Sequence, residues 1–179
     1  MTESTQPAGT VTALRRPPVR QSTLVHSDIE HTFAVFVREI GTWWPVRPFS
    51  VGTDRVRQVT LEQHRGGRVF ETWTDGSTHD WGPLLQWEPP SGFVMTWNLT
   101  GAPTEVALSF HALGPALTRV SVEHRGWEVL SDADLAKACA LPGGYLGGSF
   151  NTGWARILGC LGTAVDAVGS AEPARLDRP

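Results

Sequence analysis

The sequence predicts an α+β domain in which a curved antiparallel sheet of about seven strands wraps around one long C-terminal helix. Three observations predict it: an amphipathic helix near the N-terminus, a series of strand-like runs separated by Gly and Pro turns, and a final apolar stripe at helical spacing. One helix cannot cover a twisted sheet of that width, so the sheet must curl around it. The space between them then becomes either packed core or a cavity.

The first strand and the first helix come close together in the chain. Residues 19–25 alternate enough to form a strand. Ser27 and Glu30 have the spacing of a capping box, and apolar residues at helical spacing follow as far as Ile40. Gly41 predicts the end of this helix.

Six further strands are predicted in the central part of the chain, because turn sequences rich in Gly, Pro and Asp recur there at short intervals. The predicted strands cover residues 55–63, 68–74, 78–87, 93–99, 104–112 and 117–127. The clearest of them alternate apolar and polar residues, which indicates an antiparallel sheet with one covered face and one wet face. Pro83 interrupts one run and indicates a sheet edge or a bulge there.

Residues 129–148 form a long excursion that contains a short helix, which begins at Ser131 and ends before Pro142. The last helix is predicted over residues 151–168, with an apolar stripe along one side. Three glycines in it each weaken a helix by about 1 kcal/mol relative to alanine. We therefore expect the backbone to approach a neighbouring element closely at these glycines, which are Gly153, Gly159 and Gly162.

The composition supports one folded domain. The chain has 179 residues, of which 40% are hydrophobic, and a formal net charge of −3. The composition of the two ends of the chain predicts flexible tails at residues 1–18 and 170–179. Between them we predict a single domain, residues 19–169. A slightly acidic chain without a run of basic residues offers no long-range attraction for nucleic acid, so no nucleic-acid partner is expected.

The cysteines and the hydropathy pattern bear on location and cofactors. Cys139 and Cys160 have no second Cys and no His at ligand spacing, so we predict neither a disulfide framework nor a metal site. The N-terminus lacks the apolar stretch of a signal peptide, and no window reaches the roughly 20 apolar residues that span a bilayer. We expect a cytoplasmic protein with no cofactor and no membrane insertion.

Candidate site residues lie on the predicted inner face of the sheet and of the last helix. Eight Trp against one Tyr is an unusual aromatic balance, and an indole supplies a large apolar surface with one hydrogen-bond donor. The predicted ligand-binding residues are Trp43, Trp44, Phe70, Trp73, Trp81, Met95, Trp97, Leu108, Phe110, Val122, His124, Trp154 and Leu158.

His124 is the one candidate for a catalytic residue. It alternates with Val120 and Val122 and should therefore point inward, where an imidazole could act as a general acid or base. The alternative is a core histidine satisfied by a neighbour or by Trp127. The sequence contains no Gly-x-Ser-x-Gly, no His-Glu-x-x-His and no phosphate loop, so it does not establish catalysis.

An ordered set of short motifs carries a family resemblance over about residues 20–168. The motifs are Gly41-Thr42-Trp43-Trp44-Pro45, Ser50-Val51-Gly52, Gly66-Gly67-Arg68, Asp75-Gly76-Ser77, Trp81-Gly82, Trp87-Glu88-Pro89-Pro90, Trp97, His124-Arg125-Gly126-Trp127 and Gly153-Trp154. In that order they resemble bacterial proteins similar to the C-terminal domain of the heat-shock protein 90 ATPase activator, in the START-like or SRPBCC superfamily. The resemblance implies a helix-grip fold, also called Bet v 1-like, with a deep apolar cavity.

Three functional hypotheses follow from the predicted fold and the resemblance. The first is binding of a small hydrophobic or aromatic ligand, lipid-like or polyketide-like, in a cavity between the sheet and the last helix. The second is a polyketide cyclase or dehydratase that uses the same cavity and His124. The third is a protein-interaction module that presents Trp43 and Trp44 as a surface patch to a chaperone or another protein. Homodimer formation is left open.

Overall fold

The computed structural model describes residues 16–138 and 144–169. Seven strands form one antiparallel sheet in the order β1-β7-β6-β5-β4-β3-β2. They are β1 Val19–Val25, β2 Val56–Leu61, β3 Arg68–Trp73, β4 Thr78–Glu88, β5 Gly92–Trp97, β6 Thr104–Gly114 and β7 Leu117–Arg125. The predicted tails, apart from residues 16–18, lie outside the described residues, as does Cys139.

In the described part of the chain, six α-helical segments accompany the sheet. They are α1 Ile29–Arg38, α2 Ile40–Trp43, α3 Val46–Phe49, α4 Asp132–Ala138, α5 Gly144–Gly147 and α6 Ser149–Gly169, with 3₁₀ turns at Thr53–Arg55 and Trp127–Val129. The 21 residues of α6 extend over roughly 30 Å, and this helix packs against β1 and α1. The predicted α+β architecture, a curled seven-stranded antiparallel sheet with a long C-terminal helix, is confirmed.

The start and the end of α1 differ from the prediction. Asp28, and not Ser27, caps the helix: its carboxyl group accepts the His31 backbone N–H at 2.8 Å. The chain then continues through Gly41 as the short helix α2. A Cβ atom on Gly41 would lie 2.9 Å from the Val59 carbonyl oxygen, so this glycine permits close packing on β2 instead of ending a helix.

A bulge occurs beside Pro83, as one of the two alternatives predicted. β4 lies between β5 and β3, so Pro83 is not on an edge strand. In the β3–β4 pairing, Val69 is opposite Gly82 and Phe70 is opposite Asp80, which leaves Trp81 as the extra residue of the bulge. Trp81 turns inward and is 1% exposed, so the bulge places a large indole in the core.

The glycines of α6 are only partly explained by close packing. A Cβ atom on Gly153 would lie 3.0 Å from Cε1 of Phe49, so at this position the predicted close approach is confirmed. The prediction is wrong for Gly159 and Gly162, because a Cβ atom there would meet no atom within 4 Å apart from the local backbone of α6.

The centre of the domain is closely packed by aromatic rings. Four indoles contact one another with ring centroids 4.8 to 6.4 Å apart, those of Trp44, Trp81, Trp97 and Trp154. A void of about 10 Å³ remains among them and their aliphatic neighbours. It is about the size of one water molecule, and we call it the inner void. The middle of the sheet–helix interface is therefore core.

Candidate functional site

A larger pocket of about 300 Å³ lies beside the end of β5, between the N-terminal half of α6 and residues 46–52. We call it the end pocket, and residues 46–52 the entrance segment. Its lining residues are Pro48, Phe49, Ser50, Val51, Trp97, Leu99, Ala138, Ser149, Phe150, Gly153, Trp154 and Ile157. Val51 is 47% exposed, which indicates that the pocket opens to solvent beside it.

Two indoles form the floor of the end pocket. Trp97 and Trp154 line both this pocket and the inner void, so their rings separate the two spaces. The ring centroids are 5.4 Å apart. The floor therefore belongs to the aromatic core and gains its rigidity from the packing behind it.

His124 lies behind this floor and is fully buried. The Trp154 indole N–H donates to Nδ1 of His124 at 3.2 Å, and Nε2 is 2.8 Å from Oγ1 of Thr104. Because Nδ1 accepts a hydrogen bond, the ring proton is on Nε2, which donates to Thr104. Thr104 donates in turn to the Trp97 carbonyl oxygen at 3.2 Å. One imidazole is thus connected to both floor residues.

Burial lowers the pKa of His124 to about 3, from an ordinary value of about 6.5. The imidazole stays neutral at neutral pH, which matches its role as acceptor for the Trp154 N–H. His124 does not line the end pocket. Its contacts are those of the core histidine that the sequence allowed as the alternative to an acid–base residue.

The entrance segment is held by contacts from three other parts of the chain. The Glu71 carboxyl group, fully buried on β3, accepts the backbone N–H groups of Val51 at 3.0 Å and of Gly52 at 3.2 Å. The Trp44 indole N–H donates to the Phe49 carbonyl oxygen at 3.3 Å. The Phe49 ring lies against Gly153, where a side chain would displace it. This wall of the pocket is therefore held in place by contacts within the chain itself.

The end pocket is largely apolar. None of the described lining residues carries an ionisable side chain. The lining hydroxyls are those of Ser149 and Ser50. The Ser50 hydroxyl is buried and has no hydrogen-bond partner among the described residues.

The predicted ligand-binding residues are distributed over several places. Trp97 and Trp154 line the end pocket, and four others, Trp44, Trp81, Met95 and Leu108, line the inner void. Further members of the predicted set are buried in the core and line neither space, namely Trp43, Phe110, Val122, Leu158 and His124.

Phe70 and Trp73 lie on β3 and line neither space. The Phe70 ring is half-buried under the Arg68 guanidinium, 4.3 Å from its centroid. Trp73 stacks on His79 and has the Arg55 guanidinium 3.9 Å from its centroid.

Trp43 and Trp44 are 7% and 6% exposed. They do not form the surface patch that the protein-interaction hypothesis requires.

Several pocket residues were missed by the sequence reasoning. Phe49, Ser50 and Val51 lie at or just after the end of the short, kinked α3, where no periodicity distinguishes an inward residue from an outward one. Phe150 lies in the first turn of α6, before the start that the sequence predicted for that helix. Glu71 did leave a signal, because it alternates with inward Val69 along β3. A carboxyl group at an inward strand position needs buried donors, and here backbone amides supply them.

The described residues contain no group of three or more His, Cys, Asp or Glu that could hold a metal ion. No helix in the described part of the chain is long and apolar enough to cross a membrane.

Several solved structures are similar to this chain. CalC from Micromonospora echinospora, a self-sacrificing resistance protein, is 26% identical with a TM-score of 0.61, over 87% of this chain and 98% of that chain. Txn09, an anthrahydroquino-γ-pyrone synthase, is 31% identical with a TM-score of 0.46, over 62% of this chain and 77% of that one. SA2116 from Staphylococcus aureus, a protein of unknown function, is 11% identical with a TM-score of 0.59, over 86% of this chain and 95% of that chain.

No curated protein matches this sequence. The family model described as activator of Hsp90 ATPase homolog 1-like protein matches residues 28–165. That match spans most of the chain, from the cap of α1 to the last turns of α6. The chain therefore belongs to the Hsp90 ATPase activator homolog 1-like family.

Proposed function

We propose that this protein binds a small hydrophobic or aromatic molecule in the end pocket. The observation that carries the proposal is a preformed 300 Å³ pocket whose described walls are aromatic and aliphatic and carry no ionisable group. Ligand pockets are typically of this size or larger, mostly apolar, with few polar groups that fix orientation. Burial of the apolar surface of the ligand supplies the driving force.

The rigidity of the pocket supports this proposal. The floor indoles are connected through His124, and the entrance segment is held by Glu71, so little order has to be gained when a ligand binds. His124, set behind the floor, acts in this proposal as a positioning residue.

A fluorescence titration with N-phenyl-1-naphthylamine, an uncharged dye that brightens in apolar surroundings, tests the proposal. Leu99 lines the end pocket and is half-buried, so Leu99→Trp should fill part of it. We expect the dye to bind the wild type and to bind this variant at least about tenfold more weakly, a loss of about 1.4 kcal/mol.

The matched control is Leu113→Trp, which adds the same ring at an exposed position, 42% exposed, near the end of β6. This control should bind the dye as the wild type does. Equal affinity in the wild type and in a folded Leu99→Trp variant would show that the dye does not enter the end pocket and would overturn the proposal.

A further inference from the structure

Ser50 carries an unused hydrogen-bonding group in the wall of the end pocket. The residue is 6% exposed, and its hydroxyl has no partner among the described residues. A buried polar group without a partner costs about 1–3 kcal/mol. Buried polar groups in proteins are normally paired, so an exception in a pocket wall indicates a partner that binds there.

The backbone around Ser50 is fixed while its side chain is not. The Ser50 N–H donates to the Val46 carbonyl oxygen at 3.0 Å, and Glu71 holds the next two amides. What remains free is rotation about χ1 and about the C–O bond. Ser50 itself lines the pocket, so its hydroxyl belongs to the wall that a ligand would contact.

The other polar group known at the floor of the pocket is already used, because the Trp154 indole N–H donates to His124. The Ser50 hydroxyl can donate or accept. A ligand carbonyl oxygen accepts the hydroxyl proton and brings no donor of its own that the apolar walls would leave unpaired. The group that suits Ser50 best is therefore an acceptor oxygen. A charged ligand group would lose its hydration in a pocket whose described walls contain no counter-ion.

We propose that the end pocket prefers uncharged, mainly apolar ligands that carry a carbonyl oxygen, and that the Ser50 hydroxyl is the specificity-determining donor for that oxygen. This inference rests on the proposed binding function of the same pocket. It adds a chemical class of ligand and one residue that discriminates within it.

Equilibrium dialysis with fluorene and 9-fluorenone tests the inference, because the two tricyclic molecules have nearly the same shape and differ by one carbonyl. The wild type should bind 9-fluorenone about five- to tenfold more tightly, as expected for one recovered hydrogen bond. Ser50→Ala should reduce this preference to about twofold or less while leaving the affinity for fluorene within about twofold of the wild type.

Ser149→Ala is the matched control, because Ser149 also lines the pocket but is only half-buried. This variant should keep the preference for 9-fluorenone. Equal binding of both molecules by the wild type, or an undiminished preference in Ser50→Ala, would overturn the inference and leave the binding function intact. Failure of both molecules to bind any folded variant would instead contradict the binding function itself.

Discussion

The surroundings of His124 and the wall of the end pocket differ in whether their buried polar groups have hydrogen-bond partners. Around His124 both ring nitrogens have partners, and those partners connect to Trp97 and Trp154. In the pocket wall, the Ser50 hydroxyl is equally hidden from water and has no partner among the described residues. In our proposal the two sites use buried polar groups differently: the completed network at His124 fixes the core, and a ligand supplies the missing partner of Ser50.

The first prediction concerns the pH dependence of the His124 network and has the largest expected effect. The pKa of His124 is about 3 in the folded protein, and an unfolded histidine titrates near 6.5. Between these values the unfolded chain binds a proton that the folded protein does not, so acid favours unfolding. From pH 7 to pH 4.5, this residue alone should lower the free energy of unfolding by about 2.5 kcal/mol.

Urea unfolding of the wild type and of His124→Leu over this pH range checks that prediction. The variant is less stable at pH 7, because the Trp154 N–H loses its acceptor, but it should lose about 2.5 kcal/mol less on acidification. Parallel pH profiles for the two proteins would contradict a neutral, buried His124 and would remove the contrast with the pocket wall.

The second prediction removes the anchor of the entrance segment. Glu71→Leu leaves the backbone N–H groups of Val51 and Gly52 without their acceptor, at a cost of about 2 kcal/mol in the free energy of unfolding. Amide exchange measured by NMR should become faster at these two residues. Glu71→Gln keeps one acceptor oxygen and should retain most of the protection. Unchanged exchange in the leucine variant would show that Glu71 does not hold the segment.

The third and smallest effect compares two glycines of α6. Gly159→Ala should raise the free energy of unfolding by about 1 kcal/mol, because alanine favours helix and a Cβ atom there meets no neighbour. Gly153→Ala should gain less, because the new methyl group lies 3.0 Å from the Phe49 ring and must displace it. Urea unfolding measures both. An equal gain at the two positions would show that displacing the Phe49 ring does not lower the free energy of unfolding.

Much of the fold was predictable because it depends on periodicity. The alternation along the strands and the stripe of the last helix placed seven strands and the C-terminal helix with small errors at their ends. The errors occurred where tertiary or capping contacts determine where a helix begins or ends. Gly41 continues into α2 because it packs on β2, and Asp28 replaces Ser27 as the cap because its carboxyl group reaches the His31 N–H.

The end pocket was harder to predict, because part of its wall has no periodic pattern and is placed by tertiary contacts. Inward positions in strands and helices follow from alternation, which is why Trp97 and Trp154 were among the predicted residues. The entrance segment has no repeat, and its residues become a pocket wall only through distant contacts with Glu71 and Gly153. The sequence also could not distinguish a filled interior from an open one, since the same apolar side chains form both.

If the end pocket binds a ligand as proposed, the anchoring of the entrance segment affects the timing of ligand exchange. Glu71, Trp44 and Gly153 hold the segment from different sides, so a ligand meets an opening that already has its final shape. Association is then governed by diffusion and orientation, without a wait for a loop to move. Ligands of similar size should arrive at similar rates, and their residence times should decide which of them occupies the protein.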